Sequence, residues 1–367
     1  MGIRTHSIEA EGIRVEVDLD LGQLAKIEIT RDGRTVAPFH RAPWADEPGP
    51  IEGTERAPHL ARLSGDFFCA PFGLADVEPA PPHGWTANGA WALVGSENSD
   101  GATKATFVLD HKVMGARVLK ELMVRDGHPF LYQRHVFENG AGSLSVANHA
   151  MVRFPNGGRL SFSPKRWAET PVTALETDPA RGRFVLAYPA TSTDLSRFPL
   201  ADGGTADLTR YPIGERHEDF AMLVEAEGAT LGWSAALRPR EGDLALTLKN
   251  PALLPVTMLW FSNGGRDYAP WNGRHRDVLG IEDACAYSAY GHKASISPNP
   301  MSEAGIPTAI RLEPDGSVEV RHVIGAVPVP EGLREIGAVS TGRDSLVAKD
   351  VAGRRIVLPF DANFLGG

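Results

Sequence analysis

Short runs of alternating apolar and polar residues, separated by turn residues, dominate the chain and predict strands. Residues 13–19, 104–109, 116–124, 221–225, 230–237, 244–248 and 256–261 read as strands by their period of two or their β-branched content. Three more pairs of runs flank an Asx-Gly dipeptide, a compact hairpin signal. They are 25–30 and 34–39 around Asp32-Gly33, 150–154 and 159–163 around Asn156-Gly157, and 308–313 and 317–323 around Asp315-Gly316. Close to the C-terminus, 346–349 and 355–359 around Ala352-Gly353 predict another hairpin. No long amphipathic helix and no internal repeat is visible. Many strands with short turns imply an all-β sandwich or barrel.

One stretch breaks this rhythm. Residues 63–91 join a Gly65-Asp66 turn, an Ala70-Pro71-Phe72-Gly73 corner and a Pro81-Pro82-His83-Gly84-Trp85 segment. Proline and glycine at this density argue against helix and long strand. A loop of this length in a compact domain is functional or disordered. Its aromatics, Phe67, Phe68, Phe72, Trp85 and Trp91, argue for order. The expectation is an ordered loop that presents His83 at the edge of a cleft.

Composition supports the β class. The 39 glycines and 28 prolines among 367 residues suit a loop-rich β protein, and an apolar fraction of 42% with 23% charged residues is that of an ordinary globular chain. A formal net charge of −9 argues against nucleic-acid and anionic-membrane partners. The N-terminal residues contain no apolar signal-peptide core, and no segment has the apolar length of a membrane span. Cys69 and Cys285 are too few for a disulfide framework and read as buried thiols. The expected location is therefore the cytoplasm.

Three patches hold candidate chemistry: His83-Gly84, Asn148-His149-Ala150-Met151, and Gly280-Ile281-Glu282-Asp283. Each is weak alone, because a single histidine in a β protein is more often a packing or surface residue, and Glu282 fits an exposed strand end. Together, in this order and spacing, they resemble the galactose mutarotase-like family, which includes aldose 1-epimerases and hexose-phosphate mutarotases. The opening loop with its Pro-Phe-Gly corner and His-Gly pair, the Asn-His motif and the late glutamate carry the resemblance, in short patches over residues 10–325. It implies a large antiparallel β-sandwich (supersandwich) over residues 1–327, with 328–367 as an added hairpin packed on it. It further implies a sugar cleft and catalysis without cofactor or metal. By this resemblance Glu282 is the general base at the anomeric hydroxyl, His149 the general acid at the ring oxygen, and His83 a positioning residue. A carboxylate near His149 is expected to raise its pKa and improve it as an acid.

Departures from the family pattern bear on the ligand. Ser64-Gly65-Asp66 replaces an Arg-Gly-Gly-like turn, and an acidic Asp66 at the sugar favours a neutral aldose. Ala150-Met151 replaces an aromatic pair. The family's sugar-binding aspartate finds its nearest counterparts in Glu218 and Asp219, and Asp219 is the one taken here. Trp85, Trp260 and Trp271 have the flat faces that stack on sugars, although Trp260 reads more readily as core. Arg266 is a further cleft candidate. The expected substrate-binding set is thus His83, Asp66, Trp85, Arg266 and Asp219. Two other readings stay open: a sugar-binding protein of this fold without catalysis, and a metal enzyme using two histidines and a glutamate.

Overall fold

The computed structural model of the chain describes residues 3–366. Two large sheets face each other. The seven-stranded sheet runs, in spatial order, Thr191–Ser192, Lys165–Glu169, Glu218–Glu225, Val256–Ser262, Val278–Cys285, Val146–Arg153 and Phe68–Cys69. The nine-stranded sheet has its centre at Gly232–Arg238, Asp243–Lys249, Ser317–Pro328 and Phe130–Glu138. Pairing within both is antiparallel. The all-β antiparallel sandwich expected from the alternation is the observed architecture.

Alternation divides the core into layers. Val146, Ala150, Leu223, Leu259, Phe261 and Ile281 face the nine-stranded sheet and meet Ala236, Ala245, Ile324 and Ala326 in the main core. A four-stranded N-terminal sheet, Thr5–Ala10 to Arg34–Val36, adds Ile8, Val15, Val17 and Ile27 to that core. The outer face of the seven-stranded sheet carries a second apolar cluster with Met151, Phe220, Met222, Met258 and Trp260, roofed by Trp44, Leu63, Phe67, Phe72 and Trp271 from loops.

Two of the expected hairpins are instead crossings between sheets. Around Asn156-Gly157, Val146–Arg153 belongs to the seven-stranded sheet and Gly158–Phe162 to the nine-stranded one. Around Asp315-Gly316, Ile310–Leu312 pairs with Gly142–Leu144, whereas Ser317–Pro328 joins the nine-stranded sheet. Asp32-Gly33 does close a hairpin, Leu24–Arg31 with Arg34–Val36. A tight Asx-Gly turn reverses the chain locally, but inter-sheet packing decides whether the second run pairs with the first. The 63–91 stretch also holds one turn of helix, Gly84–Asn88, where no helix was expected.

The C-terminal residues form three strands, Ile336–Thr341, Ser345–Asp350 and Arg355–Pro359, so one strand joins the expected hairpin. Leu346, Ala348, Leu358 and Phe360 from this unit pack on Trp233, Leu237, Leu246 and Val323 of the nine-stranded sheet. The unit covers an apolar sheet face that water would otherwise reach. Leu346→Ala, at a fully buried position, is expected to cost about 2–5 kcal/mol. That loss would appear as a lower denaturant midpoint with unchanged slope.

Candidate functional site

Antiparallel register brings the two distant patches together. In the pairing of Val146–Arg153 with Val278–Cys285, His149 lies directly opposite Glu282. Both point to the outer face, and His149 Nε2 lies 3.2 Å from Glu282 Oε1. Gly280, two residues before Glu282 on the same face, leaves room for the carboxyl. A Cβ there would sit 2.9 Å from Glu282 Oε1 and 3.1 Å from Trp260 Cβ.

Asn148 and Asp283, opposite each other in the same pairing, point the other way. Asp283 accepts from Thr257 Oγ1 (2.8 Å), Thr247 Oγ1 (2.9 Å) and His322 Nε2 (2.9 Å), and it pairs with Lys249 Nζ at 3.0 Å. Burial works to raise its pKa, but Lys249 and His322 hold it well below the usual carboxylate range. Adjacent carboxyls therefore sit in opposite electrostatic settings.

The 63–91 stretch runs along the sheet edge. His149 N donates to Phe67 O at 2.9 Å and Met151 N to Gly65 O at 2.8 Å. Extended backbone then turns Phe67 outward, where its ring stacks on His149 with centroids 4.5 Å apart. Asp66 and Phe68 turn inward: Asp66 accepts from Gln133 Nε2 at 2.6 Å, and Phe68 stacks on His135. Gly65 sets this direction with φ of 55°, in a turn where a Cβ would fall 1.9 Å from Leu24 O. Asp66 is fully buried between the sheets and does not line the outer cavity. The expectation that it faces the ligand is corrected.

His83 does reach the cavity. Its left-handed backbone, φ 66°, opens the Gly84–Asn88 turn, and its ring meets His149, Phe72 and His59 edge-on at 5.7, 5.3 and 5.1 Å. His59 was not anticipated; it stands in no motif, and only the fold brings it here. Asn88 holds both histidines in place. Its Oδ1 accepts from His59 N at 2.9 Å and lies 3.0 Å from His59 Nδ1, while its Nδ2 donates to Pro82 O at 2.8 Å. With Nδ1 held at Asn88, the His59 ring lines the cavity.

Trp260, Trp271 and Arg266 line the opposite wall. The Arg266 guanidinium sits 4.6 Å from the Trp271 ring centroid and 3.4 Å from Glu218 Oε1. Glu218 also accepts from Trp260 Nε1 and, at 3.0 Å, from Ser262 Oγ. Burial raises the Glu218 pKa, and Arg266, Trp260 and Ser262 oppose that rise. Asp219, one residue on, faces inward and accepts from Leu186 N, Tyr188 Oη and His217 Nδ1. It braces the 185–188 segment, so Glu218 is the acidic residue behind this wall. Trp85 is likewise displaced from the expected set: its ring stacks on His111 at 3.8 Å and lies outside the cavity lining. Trp260, read more readily as core, is part of the wall.

The cavity measures about 270 Å³, and His149 and Glu282 lie at its floor with 5% and 1% exposure. Burial, reinforced by His59, pushes the His149 pKa down to about 3, and burial pushes Glu282 well above the ordinary carboxyl value. Burial also lowers His59 to about 4 and His83 well below the ordinary imidazole value. The expectation that Glu282 raises the His149 pKa is therefore reversed. A buried floor favours the neutral pair over the ion pair. His149 Nδ1 and Glu282 Oε2 have no protein partner. Among the described residues, no group of three or more His, Cys, Asp or Glu side chains is arranged to hold a metal ion. No described helix is long and apolar enough to cross a membrane.

No family model matches the sequence, and no curated protein matches it significantly. Solved structures do match. A candidate aldose 1-epimerase from Escherichia coli K12 superposes with a TM-score of 0.57 at 13% identity, covering 89% of this chain and 100% of that one. A candidate aldose 1-epimerase from Klebsiella pneumoniae gives 0.59 at 17%, covering 89% and 79%. A galactose mutarotase-like protein from Clostridium acetobutylicum gives 0.54 at 13%, covering 89% and 98%. The chain has the galactose mutarotase-like fold.

The neighbouring carboxyls predict opposite stability effects. Glu282 has a raised folded-state pKa, so its contribution is full below the unfolded carboxyl value of about 4.3 and is lost as pH rises. Glu282→Gln is expected to raise the melting temperature at pH 7.5, with the gain shrinking toward pH 5. Asp283 has a depressed pKa, so its contribution is full at neutral pH and is lost on acidification. Asp283→Asn at pH 7.5 removes one of the two buried carboxylates that pair with Lys249, the other being Glu225, and should cost about 1.5–3 kcal/mol. Thermal and denaturant melts of the two variants check both signs.

Proposed function

We propose that the chain interconverts the anomers of a neutral aldose by general acid–base catalysis through the ring-opened aldehyde. The observation that carries this reading is the side-by-side pairing of His149 with Glu282 on the floor of an open, mostly apolar cavity. One proton between an imidazole and a carboxyl equips the pair to accept and donate at once. One member takes the proton of the anomeric hydroxyl while the other protonates the ring oxygen. The C1–O5 bond breaks as the C1=O1 bond forms, the C1–C2 bond rotates, and the reverse transfers reclose the ring. No electrons leave or enter, so the reaction itself demands no redox cofactor.

Other features fit a single sugar ring. A cavity of about 270 Å³ lies just below the roughly 300–1,000 Å³ of pockets for drug-sized ligands. Trp260 and Trp271 offer apolar faces, and His59, His83 and Arg266 offer hydrogen bonds to hydroxyls. Arg266 is matched by Glu218, and the His149–Glu282 pair is neutral as a unit, so the site has no unbalanced charge to select an anion.

Anomer exchange measured by NMR over a panel of aldoses tests this reading. Exchange above the buffer rate is expected with at least one neutral sugar, and it should fall about 10²–10⁴-fold in Glu282→Gln and His149→Ala. Saturable binding with no exchange would assign the chain to sugar binding alone. A second prediction follows from protonation. The pair holds its single proton from above the lowered His149 pKa of about 3 until Glu282 ionises above the ordinary carboxyl range. After subtraction of the buffer rate, kcat should show no His149 step near pH 6.5, where a free imidazole would titrate.

A further inference from the structure

His59, His149 and Glu282 are buried at the floor of this cavity, and His83 and Arg266, both partly exposed, are the other polar side chains of its lining. The rest of the accessible lining is largely aliphatic: Leu74 is 56% exposed, and Ala57, Leu60, Pro82, Leu175 and Ala289 are partly exposed. Exposed leucines and valines in isolation need no explanation. Here Leu74 is held in place. Leu74 O accepts from His292 N at 2.9 Å, and the Asp76 carboxylate is occupied by Lys293 N at 2.7 Å. The mouth thus presents aliphatic side chains, with Leu74 on tied-down backbone.

Given the reading that a sugar's anomeric centre sits at His149 and Glu282, ring geometry decides what reaches the mouth. With C1 and O5 at the floor, the opposite edge, C3 and C4, points outward. From this we propose that the natural ligand is an aldose bearing an alkyl or acyl group on its C3–C4 edge. The polar ring fills the deep cavity and the apolar substituent lies against Leu74, Leu175 and Ala289. A bare hexose would leave this collar against water. The gain on adding an alkyl chain is the apolar area removed from water on both sides.

Binding and exchange, measured separately, test the proposal. Quenching of tryptophan fluorescence, with Trp260 and Trp271 in the wall, gives Kd for D-glucose, 3-O-methyl-D-glucose, 4-O-butyl-D-glucose and maltose, and for the corresponding galacto sugars. NMR gives exchange for the same set. The 4-O-butyl sugar is expected to bind at least tenfold more tightly than its parent. Maltose, which carries a larger, polar group at the same oxygen, should show no such gain. Leu74→Ser, at an exposed position, should erase most of the butyl preference. Equal binding of parent and butyl sugars, or equal gains from butyl and maltose, overturns the proposal, whether or not exchange occurs. A butyl preference without exchange of any sugar would uphold the proposal and defeat the catalytic reading. No binding across the set defeats both.

Discussion

The pairing of Val146–Arg153 with Val278–Cys285 is the constraint on which the site depends. A strand side chain has only two directions, so a register that sets His149 opposite Glu282 also sets Asn148 opposite Asp283 on the other face. One pair of strands thereby serves two environments. Outward, it supplies an acid–base pair to a cavity roofed by loops. Inward, it supplies Asp283 to a buried charge network with Lys249 and His322, and Lys249 extends that network to Glu225 at 3.0 Å. A slip of one residue would place His149 in the sandwich and lose both arrangements at once.

Dryness then sets the chemistry. Phe67 stacked on His149, Trp260 beside it and the aliphatic lining remove the water that would stabilise an ion pair. In water, a histidine next to a carboxylate gains proton affinity; at this floor, desolvation outweighs the attraction and both groups shift toward their neutral forms. Arg266 retains a partner because Glu218, hydrogen-bonded to Trp260 and Ser262, stands directly behind it. The cavity contains charged residue types without a net field.

Much of the architecture was legible in the chain. The runs at 13–19, 104–109, 116–124, 221–225, 230–237, 244–248 and 256–261 coincide with observed strands, because alternation reports directly on a half-buried extended backbone. The Asx-Gly turns were less informative. All three mark reversals, but only Asp32-Gly33 joins strands that pair, since sheet membership is settled by packing partners far away in sequence. Within the site, His149, Glu282, His83 and Arg266 meet as expected. Asp66, Trp85 and Asp219 do not, and two of these miss by a single position: Phe67 and Glu218 face the cavity side in place of Asp66 and Asp219. A motif read by residue type cannot reveal which parity of a strand faces outward.

By itself, then, the sequence determined the class of fold and the residue types available for acid–base work, because periodicity and chemical identity are local properties. Tertiary structure alone decided the face on which each residue sits and the arrival of His59 through its bond to Asn88. It also decided which carboxyl would be drawn down by lysine and which pushed up by dryness. Those outcomes depend on register and on the exclusion of water, and neither exists until the sheets and their covering loops have come together.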